Sequence, residues 1–546
     1  MSERSAHVDT FARDHLPPRS QWPQLTASLP ELQYPARLNC AHELLDRAFV
    51  EGHDGRRAAV YSEDAVWSWA ELRANTDRIA QVLMRDLGVV PGNRVLLRAP
   101  NCPMLVAAWL AVVKCGAIAV TTMAMLRAKE LAAIAQKARI DHALCHSRLC
   151  DELRQAARDT GLLSHIATFG DGILEAAMQR YPEPFQAVDT ARDDVCLFAF
   201  TSGTTGGPKA TVHCHSDVLA MADVVARHLL QTQQDDIYLG TPPLGFTFGL
   251  GALLVFPLRF RAATVMLESV TADAVVNAIE KLGATCLFTA PTMYRNLGGR
   301  LDSARLSSLR RCVSAGEPLP QAVSDNWYAK TGIRLIDGLG STEMMHIFIS
   351  AAGPDIRPGA TGRPLPGYEA CVLDEENRPL PRGHAGRLAV RGPTGCRYLD
   401  DPRRQLEYVV NGWNVTGDWY YVDEDGYFWF QGRIDDMIVS GGYKIPAPEV
   451  ESALLAHPGV KECAVIGAPD EQRGQIVKAF VVLREGFDGS DRVKELQDFV
   501  KASIAPYKYP RAIEIVTVLP KTPTGKIQRF ALRQREMERA AHPGEA

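Results

Sequence analysis

Residues 198–211, FAFTSGTTGGPKAT, combine the residue types that proteins use to bind phosphate groups. An apolar strand pattern ends here, and the hydroxyl and glycine residues that follow it are Thr201, Ser202, Gly203, Thr204, Thr205, Gly206 and Gly207. Glycines let backbone N–H groups approach an anion, hydroxyl groups add donors, and Lys209 adds positive charge. Because Ala210 follows the lysine, the spacing is not that of a Walker A loop. We therefore predict a phosphate-binding loop of another kind.

Four further motifs follow in order, which argues against a merely flexible surface loop at 201–209. They are DGLGSTE (337–343), TGDWYYVDEDGYF (416–428), GRIDDMI (432–438) and PKTPTGKIQR (520–529). With the loop they resemble the adenylate-forming superfamily of acyl-CoA synthetases, peptide-synthetase adenylation domains and luciferases. The sequence DGLGSTEMMHIFIS further resembles the branch of benzoate and 2-aminobenzoate CoA ligases. The N-terminal arm, FARDHLPPR to LPELQYPARLNC, resembles 2-aminobenzoate-CoA ligases in particular.

The resemblance implies an AMP-forming aryl-CoA ligase that uses ATP, Mg²⁺ and coenzyme A, with 2-aminobenzoate as the first expected substrate. A carboxylic acid does not acylate a thiol at neutral pH, because hydroxide or oxide is a poor leaving group. Activation as a mixed anhydride with AMP removes this obstacle. That step requires ATP, Mg²⁺ and a group that stabilises the charge growing on the α-phosphate.

The resemblance also assigns roles to residues that act on the phosphates and on the thiol. The loop at 201–209 is expected to hold the β- and γ-phosphates, Glu343 to bind Mg²⁺, and Thr342 to contact the α-phosphate. Lys526 matches the catalytic lysine that bridges the substrate carboxylate and the α-phosphate. Asp435 matches the hinge about which the C-terminal domain rotates between the two half-reactions. The loop around Gly442 is then expected to approach the pantetheine arm of coenzyme A.

Two further groups of residues match the nucleoside site. Asp418 is expected to accept hydrogen bonds from both ribose hydroxyls, as a carboxylate can, and Arg433 to add a second ribose and phosphate contact. The residues that match the adenine site are Gly316, Glu317, Asp337, Gly338 and Leu339. Leu339 departs from the family pattern, which often has an aromatic residue there, so stacking under adenine is lost and aliphatic packing remains.

The acyl pocket is expected to determine which acid is used. The residues that match it are Phe246, Thr247, Phe248, Gly340, His346 and Ile347. Phe246 matches an aromatic gate, Phe248 and Ile347 are placed to hold a flat ring, and Gly340 leaves room for it. His346 has two readings: it binds an ortho substituent, or it is a core histidine whose hydrogen bonds are satisfied within the protein.

Four alternatives remain to be weighed against this function. Benzoate or a hydroxybenzoate is the alternative substrate, and a carrier protein's pantetheine is the alternative acceptor. A non-catalytic nucleotide-binding module is disfavoured because Lys526, Glu343 and Asp418 are all present. A luciferase-type oxygenase shares the first half-reaction, and no residue that we identify separates it cleanly.

The surrounding pattern predicts an α/β fold: a large N-terminal domain of stacked, mostly parallel sheets, a β-rich part, and a small α+β C-terminal domain, which the resemblance implies is mobile. Strands alternate with helices from about residue 44 to residue 290, which favours parallel sheets covered by helices. We place the N-terminal domain at 1–432, with an irregular arm on the surface at 1–40 and the β-rich part at about 354–432. The C-terminal lid domain is placed at 433–546.

The amino-acid composition and net charge indicate which classes of partner are not expected. Lys plus Arg number 60 and Asp plus Glu 64, so the formal charge of −4 gives no reason to expect nucleic acid or an anionic membrane as a partner. The 12 cysteines form no CxxC pair and are expected to be free thiols. No secretory signal is recognised, and the apolar stretch 104–126 is better read as a buried helix followed by a strand. We expect a cytoplasmic protein, either a monomer or a homodimer.

Overall fold

The structure is a computed structural model, and it describes residues 4–201, 208–298, 306–433, 436–440, 443–470, 472–487, 492–521 and 527–541. The strands in these ranges are β1 (Ala58–Tyr61), β2 (Val66–Ser68), β3 (Arg94–Arg98), β4 (Ile118–Thr122), β5 (His142–His146), β6 (His165–Phe169), β7 (Val195–Thr201), β8 (Lys209–Cys214), β9 (Ile237–Gly240), β10 (Ala263–Val265), β11 (Cys286–Thr289), β12 (Arg311–Ala315), β13 (Ile336–Gly340), β14 (Ile347–Ser350), β15 (Arg363–Pro364), β16 (Glu369–Leu373), β17 (Ala385–Arg391), β18 (Val409–Val410), β19 (Trp413–Val422), β20 (Phe428–Arg433), β21 (Met437–Ser440), β22 (Tyr443–Pro446), β23 (Val460–Asp470), β24 (Gly474–Leu483) and β25 (Ala512–Ile515).

The same ranges contain α-helices and three π-helical segments. The α-helices are α1 (Phe11–Asp14), α2 (Arg47–Val50), α3 (Trp69–Arg85), α4 (Pro103–Lys114), α5 (Ala128–Ala138), α6 (Cys150–Thr160), α7 (Ile173–Met178), α8 (His215–Met221), α9 (Thr247–Leu250), α10 (Phe256–Arg259), α11 (Ala272–Leu282), α12 (Pro291–Gly298), α13 (Gln321–Thr331), α14 (Pro402–Tyr408), α15 (Ala447–Leu455), α16 (Arg492–Ser503) and α17 (Arg529–Ala541). The π-helical segments are His42–Asp46, Ala222–Leu229 and Gly251–Val255.

Two mostly parallel sheets form the large part of the molecule. The first has the order β6-β5-β3-β4-β7-β8, in which β8 is antiparallel to β7. The second has nine strands in the order β15-β14-β13-β12-β11-β9-β10-β1-β2, parallel from β13 to β1. Strands such as β3 and β4 are buried along their whole length, as helices on both faces of a parallel sheet require. The predicted α/β class with stacked parallel sheets is confirmed.

The apolar stretch 104–126 forms α4 and β4, as predicted. Lys114 at the end of α4 is only 1% exposed, and its ammonium group contacts the carboxylates of Asp46 and Asp77. Among the described residues, no helix has the length and apolar character needed to cross a bilayer.

The predicted β-rich part is present between residues 369 and 433 as a separate sheet. Its strand order is β16-β17-β19-β18, and β20 pairs with the long strand β19. The short strand β15 lies in the same Gly- and Pro-rich stretch but pairs with β14, so it extends the nine-stranded sheet instead.

The C-terminal part contains the predicted order of helix, two strands, helix and strand. These elements are α15, the antiparallel pair β23–β24, α16 and β25, with the hairpin β21–β22 before them and α17 after them. This part has a small hydrophobic core formed by its own residues, among them Val450, Val465 and Leu496. The boundary at 432/433 and the mobility of this part remain predictions.

The N-terminal arm is irregular apart from α1 and short 3₁₀ turns, but it does not lie only on the surface. Ala12, Leu32 and Leu38 are buried in the two main cores. The expectation of an arm laid on the surface was wrong in this respect, because apolar residues of the arm pack into the cores of the sheets and their helices.

Candidate active site

The predicted phosphate loop closes a β-hairpin. Strand β7 pairs antiparallel with β8, and Thr201 lies opposite Lys209 at the end of the pair from which the loop leaves. Both residues are half-buried. The predicted binding residues Ser202, Gly203, Thr204, Thr205 and Gly206 lie outside the described residues. The hairpin thus fixes the two ends of the loop, and it differs from the strand–loop–helix arrangement of a Walker A site.

A second loop, residues 341–346, joins the antiparallel strands β13 and β14 and carries Thr342 and Glu343. The Nε2 atom of His213, on β8, lies 2.8 Å from the carbonyl oxygen of Thr342. Burial lowers the pKa of His213 to about 4, so the imidazole is neutral at neutral pH and its Nε2–H donates to that carbonyl. His213 therefore ties the strand that follows the phosphate loop to the backbone of Thr342.

The carboxylate of Glu343 is half-buried and accepts a hydrogen bond from the hydroxyl of Tyr398, with 2.7 Å between Oη and Oε1. Among the described residues no lysine or arginine pairs with this carboxylate. Carboxylate oxygens are the ligands that Mg²⁺ prefers, so Glu343 fits the predicted ion. Thr342 and Glu343 thus lie beside the hairpin that holds the phosphate loop.

The predicted adenine residues come together at the ends of two neighbouring strands. β12 and β13 are parallel, and Ala315 pairs with Gly338. Gly316 directly follows β12 and has a φ of +91°, a conformation that favours glycine. Leu339 is half-buried and packs against the core. Burial raises the pKa of Asp337 to about 7. Glu317 follows Gly316 in the same turn.

Asp418 and Arg433 face each other across the antiparallel pair of β19 and β20. Their side chains form an ion pair with 3.2 Å between Arg433 Nη1 and Asp418 Oδ1. Burial raises the pKa of the Asp418 carboxyl, and the Arg433 guanidinium opposes that rise. Asp418 is 7% exposed, so a fixed carboxylate with two acceptor oxygens is available for a pair of hydroxyls.

Three of the predicted acyl-pocket residues, Phe248, Gly340 and Ile347, lie next to His346. Its Nε2 lies 3.3 Å from the carbonyl oxygen of Phe248, and the two rings are 5.6 Å apart between centroids. Gly340 pairs with Ile347 across β13 and β14, and a Cβ at Gly340 would lie 2.8 Å from the backbone of His346. Thr247 and Phe248 begin α9, and Phe246 stands just before it. Ile347 is 2% exposed.

The π-helical segment Gly251–Val255 makes room for the imidazole of His346. A Cβ at Gly251 would lie 2.5 Å from His346 Cδ2, and the ring of Phe256 stands edge-on at 4.6 Å between centroids. π-helical turns are rare and often occur at functional sites. The close approach explains why a glycine occupies position 251.

The protonation state of His346 follows from its surroundings. Burial lowers the pKa of His346 to about 4, so the ring is neutral at neutral pH. With the proton on Nε2, directed at the carbonyl of Phe248, Nδ1 is a hydrogen-bond acceptor. Within the described part of the chain, this buried Nδ1 has no hydrogen-bond partner. An unsatisfied buried acceptor is costly, so Nδ1 is a candidate to accept a hydrogen bond from a ligand.

Three predicted residues, Lys526, Gly442 and Asp435, lie outside the described ranges, and their roles remain predictions. Sequence reasoning missed two residues that the structure brings into the site, His213 and Tyr398. The available signal for His213 was a polar residue inside an apolar strand pattern, TVHC at 211–214. For Tyr398 no local signal existed.

Comparisons with known proteins find similarity over most of the chain. Residues 46–397 match the family model described as AMP-binding enzyme, and residues 449–526 match the AMP-binding enzyme C-terminal domain. The benzoate–CoA ligase of Thauera aromatica is 35% identical over 514 residues, which cover 92% of this chain and 97% of that protein. A mitochondrial acyl-coenzyme A synthetase of Mus musculus, ACSM3, is 32% identical over 535 residues, covering 93% and 92%.

Solved structures are similar over almost the whole chain. The anthranilate CoA ligase AuaEII in complex with anthranoyl-AMP has a TM-score of 0.88 at 34% identity, covering 94% of this chain and 100% of that one. A benzoate CoA ligase from Burkholderia xenovorans has a TM-score of 0.82 at 31% identity, covering 91% and 100%.

Proposed function

Because this chain belongs to the AMP-binding enzyme family, in the branch of aryl-CoA ligases, we propose that the acid it activates is 2-aminobenzoate. The enzyme is an ATP-dependent, AMP-forming acid–thiol ligase. The observation that carries the substrate assignment is the buried, unpartnered Nδ1 of His346 beside Phe248.

An acceptor at this place favours an aromatic acid that carries a hydrogen-bond donor. The amino group of 2-aminobenzoate supplies N–H donors to a neutral imidazole nitrogen, whereas benzoate supplies none. Leaving a buried acceptor unsatisfied typically costs about 1–3 kcal/mol. The structural similarity to an anthranilate CoA ligase that holds anthranoyl-AMP adds independent support for this proposal.

The first half-reaction joins the acid to AMP. An oxygen of the substrate carboxylate attacks the α-phosphorus of ATP, the bond to the bridging oxygen breaks, and pyrophosphate leaves. Thr342 contacts the α-phosphate, Lys526 stabilises the charge that grows on the phosphate oxygens, and Asp418 holds the ribose. Glu343 would hold Mg²⁺, which supplies neutralisation of phosphate charge.

The second half-reaction transfers the acyl group to coenzyme A. The thiol gives up its proton to solvent, its sulfur attacks the carbonyl carbon of the aryl-adenylate to form the thioester, and AMP leaves with the electron pair of the broken C–O bond. In this proposal the C-terminal part, 433–546, turns about Asp435 between the two steps. Lys526 then withdraws and the loop of Gly442 approaches the pantetheine arm.

The setting of the reaction is proposed to be the cytoplasm. ATP and coenzyme A are the co-substrates, and the cysteines of the described residues are free thiols, as is usual in a reducing compartment.

The test is an assay of AMP release and thioester formation with 2-aminobenzoate, 3-aminobenzoate, 4-aminobenzoate, 2-hydroxybenzoate and benzoate. We expect the highest kcat/KM for 2-aminobenzoate. A higher value for benzoate or for another ring acid would overturn the substrate proposal. Adenylate formation without transfer to coenzyme A, together with loading of a carrier protein's pantetheine, would instead identify a different acceptor.

A further inference from the structure

The segment 394–399 joins β17 to α14 within the β-rich part. It contacts the loop of Thr342 and Glu343 at two points. The Thr394 hydroxyl donates to the Met344 carbonyl over 2.7 Å, and the Tyr398 hydroxyl donates to Glu343 Oε1 over the same distance. The first contact holds the backbone of the loop, and the second holds the carboxylate itself.

Tyr398 also has contacts that do not involve Glu343. It is 3% exposed, and its backbone N–H donates to the buried amide oxygen of Gln405 over 2.8 Å. The next residue, Leu399, donates its N–H to the carbonyl of Ala210 on β8 over 2.9 Å. The ring of Tyr408 packs edge-on against that of Tyr398. The hydroxyl therefore has a defined position that does not depend on Glu343.

We propose that Tyr398 is a positioning residue that orients the Glu343 carboxylate for a divalent cation, an inference that rests on the metal-binding role in the proposed function. The hydrogen bond occupies one carboxylate oxygen. Among the described residues no donor occupies Oε2, which remains free for the ion.

A tyrosine hydroxyl suits this task because it is neutral. A lysine or arginine in its place would orient the carboxylate but would also neutralise it and compete with the cation. The last side-chain torsion of glutamate has a broad energy profile, so the free carboxylate rotates easily. Fixing one oxygen removes that freedom while the full negative charge is kept. Removing a side chain that hydrogen-bonds to a metal ligand typically lowers metal affinity about 10- to 100-fold.

The test uses Tyr398→Phe, which removes one hydroxyl and keeps the ring. ATP binding is measured by calorimetry without an acid substrate, over a series of Mg²⁺ concentrations and in EDTA. We expect the Mg²⁺ concentration needed for half-maximal enhancement of ATP affinity to rise about 10-fold. At saturating Mg²⁺ and in EDTA the ATP affinity should equal that of the wild type. A general distortion of the site would weaken ATP binding at every Mg²⁺ concentration, and that result would overturn the proposal.

Tyr427→Phe is the matched control, because its hydroxyl donates to the Asp355 carbonyl over 2.9 Å, away from Glu343. It should leave the Mg²⁺ dependence unchanged, and the melting temperatures of the two variants show whether both are folded. Glu343→Gln should abolish the Mg²⁺ enhancement, and adding Tyr398→Phe to it should have no further effect. If Glu343→Gln shifts the Mg²⁺ dependence and Tyr398→Phe does not, the positioning role is wrong and the metal site stands. If Glu343→Gln leaves the dependence unchanged, both are wrong.

Discussion

Arg433 Nη1 lies 3.2 Å from Asp418 Oδ1, across paired positions of β19 and β20. The pair holds a nearly buried carboxylate in one orientation, while the Arg433 side chain remains 53% exposed. The two residues are fifteen positions apart in sequence and meet because the turn between the strands brings them opposite each other. A carboxylate held in this way is suited to bind two neighbouring hydroxyls of a ribose.

Asp418→Ala should raise KM for ATP by about 10- to 150-fold, because hydrogen bonds to a charged group typically contribute about 1.5–3 kcal/mol. Steady-state kinetics with varied ATP measure the effect. KM for the aromatic acid should change little, since Asp418 is assigned to the ribose. An equal rise in KM for both substrates would mean that the residue supports the fold of the site rather than the nucleotide.

Lys526→Ala should slow adenylate formation by about 10²- to 10³-fold, the usual cost of removing one donor that stabilises transition-state charge. Thioester formation from synthetic aryl-adenylate should remain close to wild type. Lys521→Ala is the control: its ammonium pairs with Glu462 at 2.7 Å, so it removes a lysine nearby in the sequence that has a structural partner. Pyrophosphate release and thioester yield measure the two steps, and equal loss in both would rule out the assigned role.

His346→Ala should lower kcat/KM for 2-aminobenzoate more than for benzoate, by about 5- to 150-fold in the ratio. Only 2-aminobenzoate has an ortho amino group, which would lose its hydrogen-bond acceptor in the variant. The loss of packing would affect both acids alike. Specificity constants for the two acids with wild type and variant provide the comparison. An unchanged ratio would remove His346 from substituent recognition.

The specificity prediction has a further consequence for pH. The pKa of His346 lies at about 4 because the ring is buried, so its acceptor remains available throughout the neutral range. The preference for 2-aminobenzoate over benzoate should therefore stay constant from about pH 6 to about pH 8, where His346 does not titrate. A preference that falls between those values as pH is lowered would indicate a histidine that protonates near its ordinary pKa.

Lys114→Met should destabilise the folded protein by about 3–5 kcal/mol near neutral pH, because it leaves the buried carboxylate of Asp77 without its cation and leaves Asp46 with Arg73 but without Lys114. Thermal melting measures the change. Lys137→Met is the control, since the hydrogen bond of its ammonium group to the Asp400 carbonyl is exposed to solvent and involves no carboxylate, and it should change stability by about 0.5 kcal/mol or less.

The destabilisation by Lys114→Met should shrink as pH falls. Burial raises the pKa of Asp77 against the opposing effect of Lys114. Burial also acts to raise the pKa of Asp46, but His42, Lys114 and Arg73 hold it below its ordinary value. Without Lys114 both folded-state pKa values rise, so the variant folds with its carboxylates protonated at mildly acid pH and recovers stability there. A deficit that is the same near pH 7 and near pH 5 would contradict this account.

Sequence alone determined the features that depend on neighbouring residues. The strand that ends at Thr201 and the prediction of a phosphate loop at 201–209 follow from apolar, glycine and hydroxyl patterns within one short segment. The motif at 337–343 similarly identified Thr342 and Glu343 as candidates, and the alternation of strands and helices indicated parallel sheets. The prediction that residues 104–126 contain a buried helix and a buried strand was also correct, because a lysine at position 114 requires a protein partner.

Only the tertiary structure decided which distant residues complete the site. His213 lies 129 positions from Thr342, and Tyr398 lies 55 positions from Glu343, so neither contact could be read from local spacing. Phe248 and His346 are 98 positions apart, and it is their contact that directs one nitrogen of the imidazole to a carbonyl. Hydrogen-bond partners and pKa values depend on burial and on the direction of each side chain, and both of these are set by packing between sheets. The sequence therefore predicted His346 as a pocket residue, whereas the fold surrounds its ring with buried residues that keep it neutral.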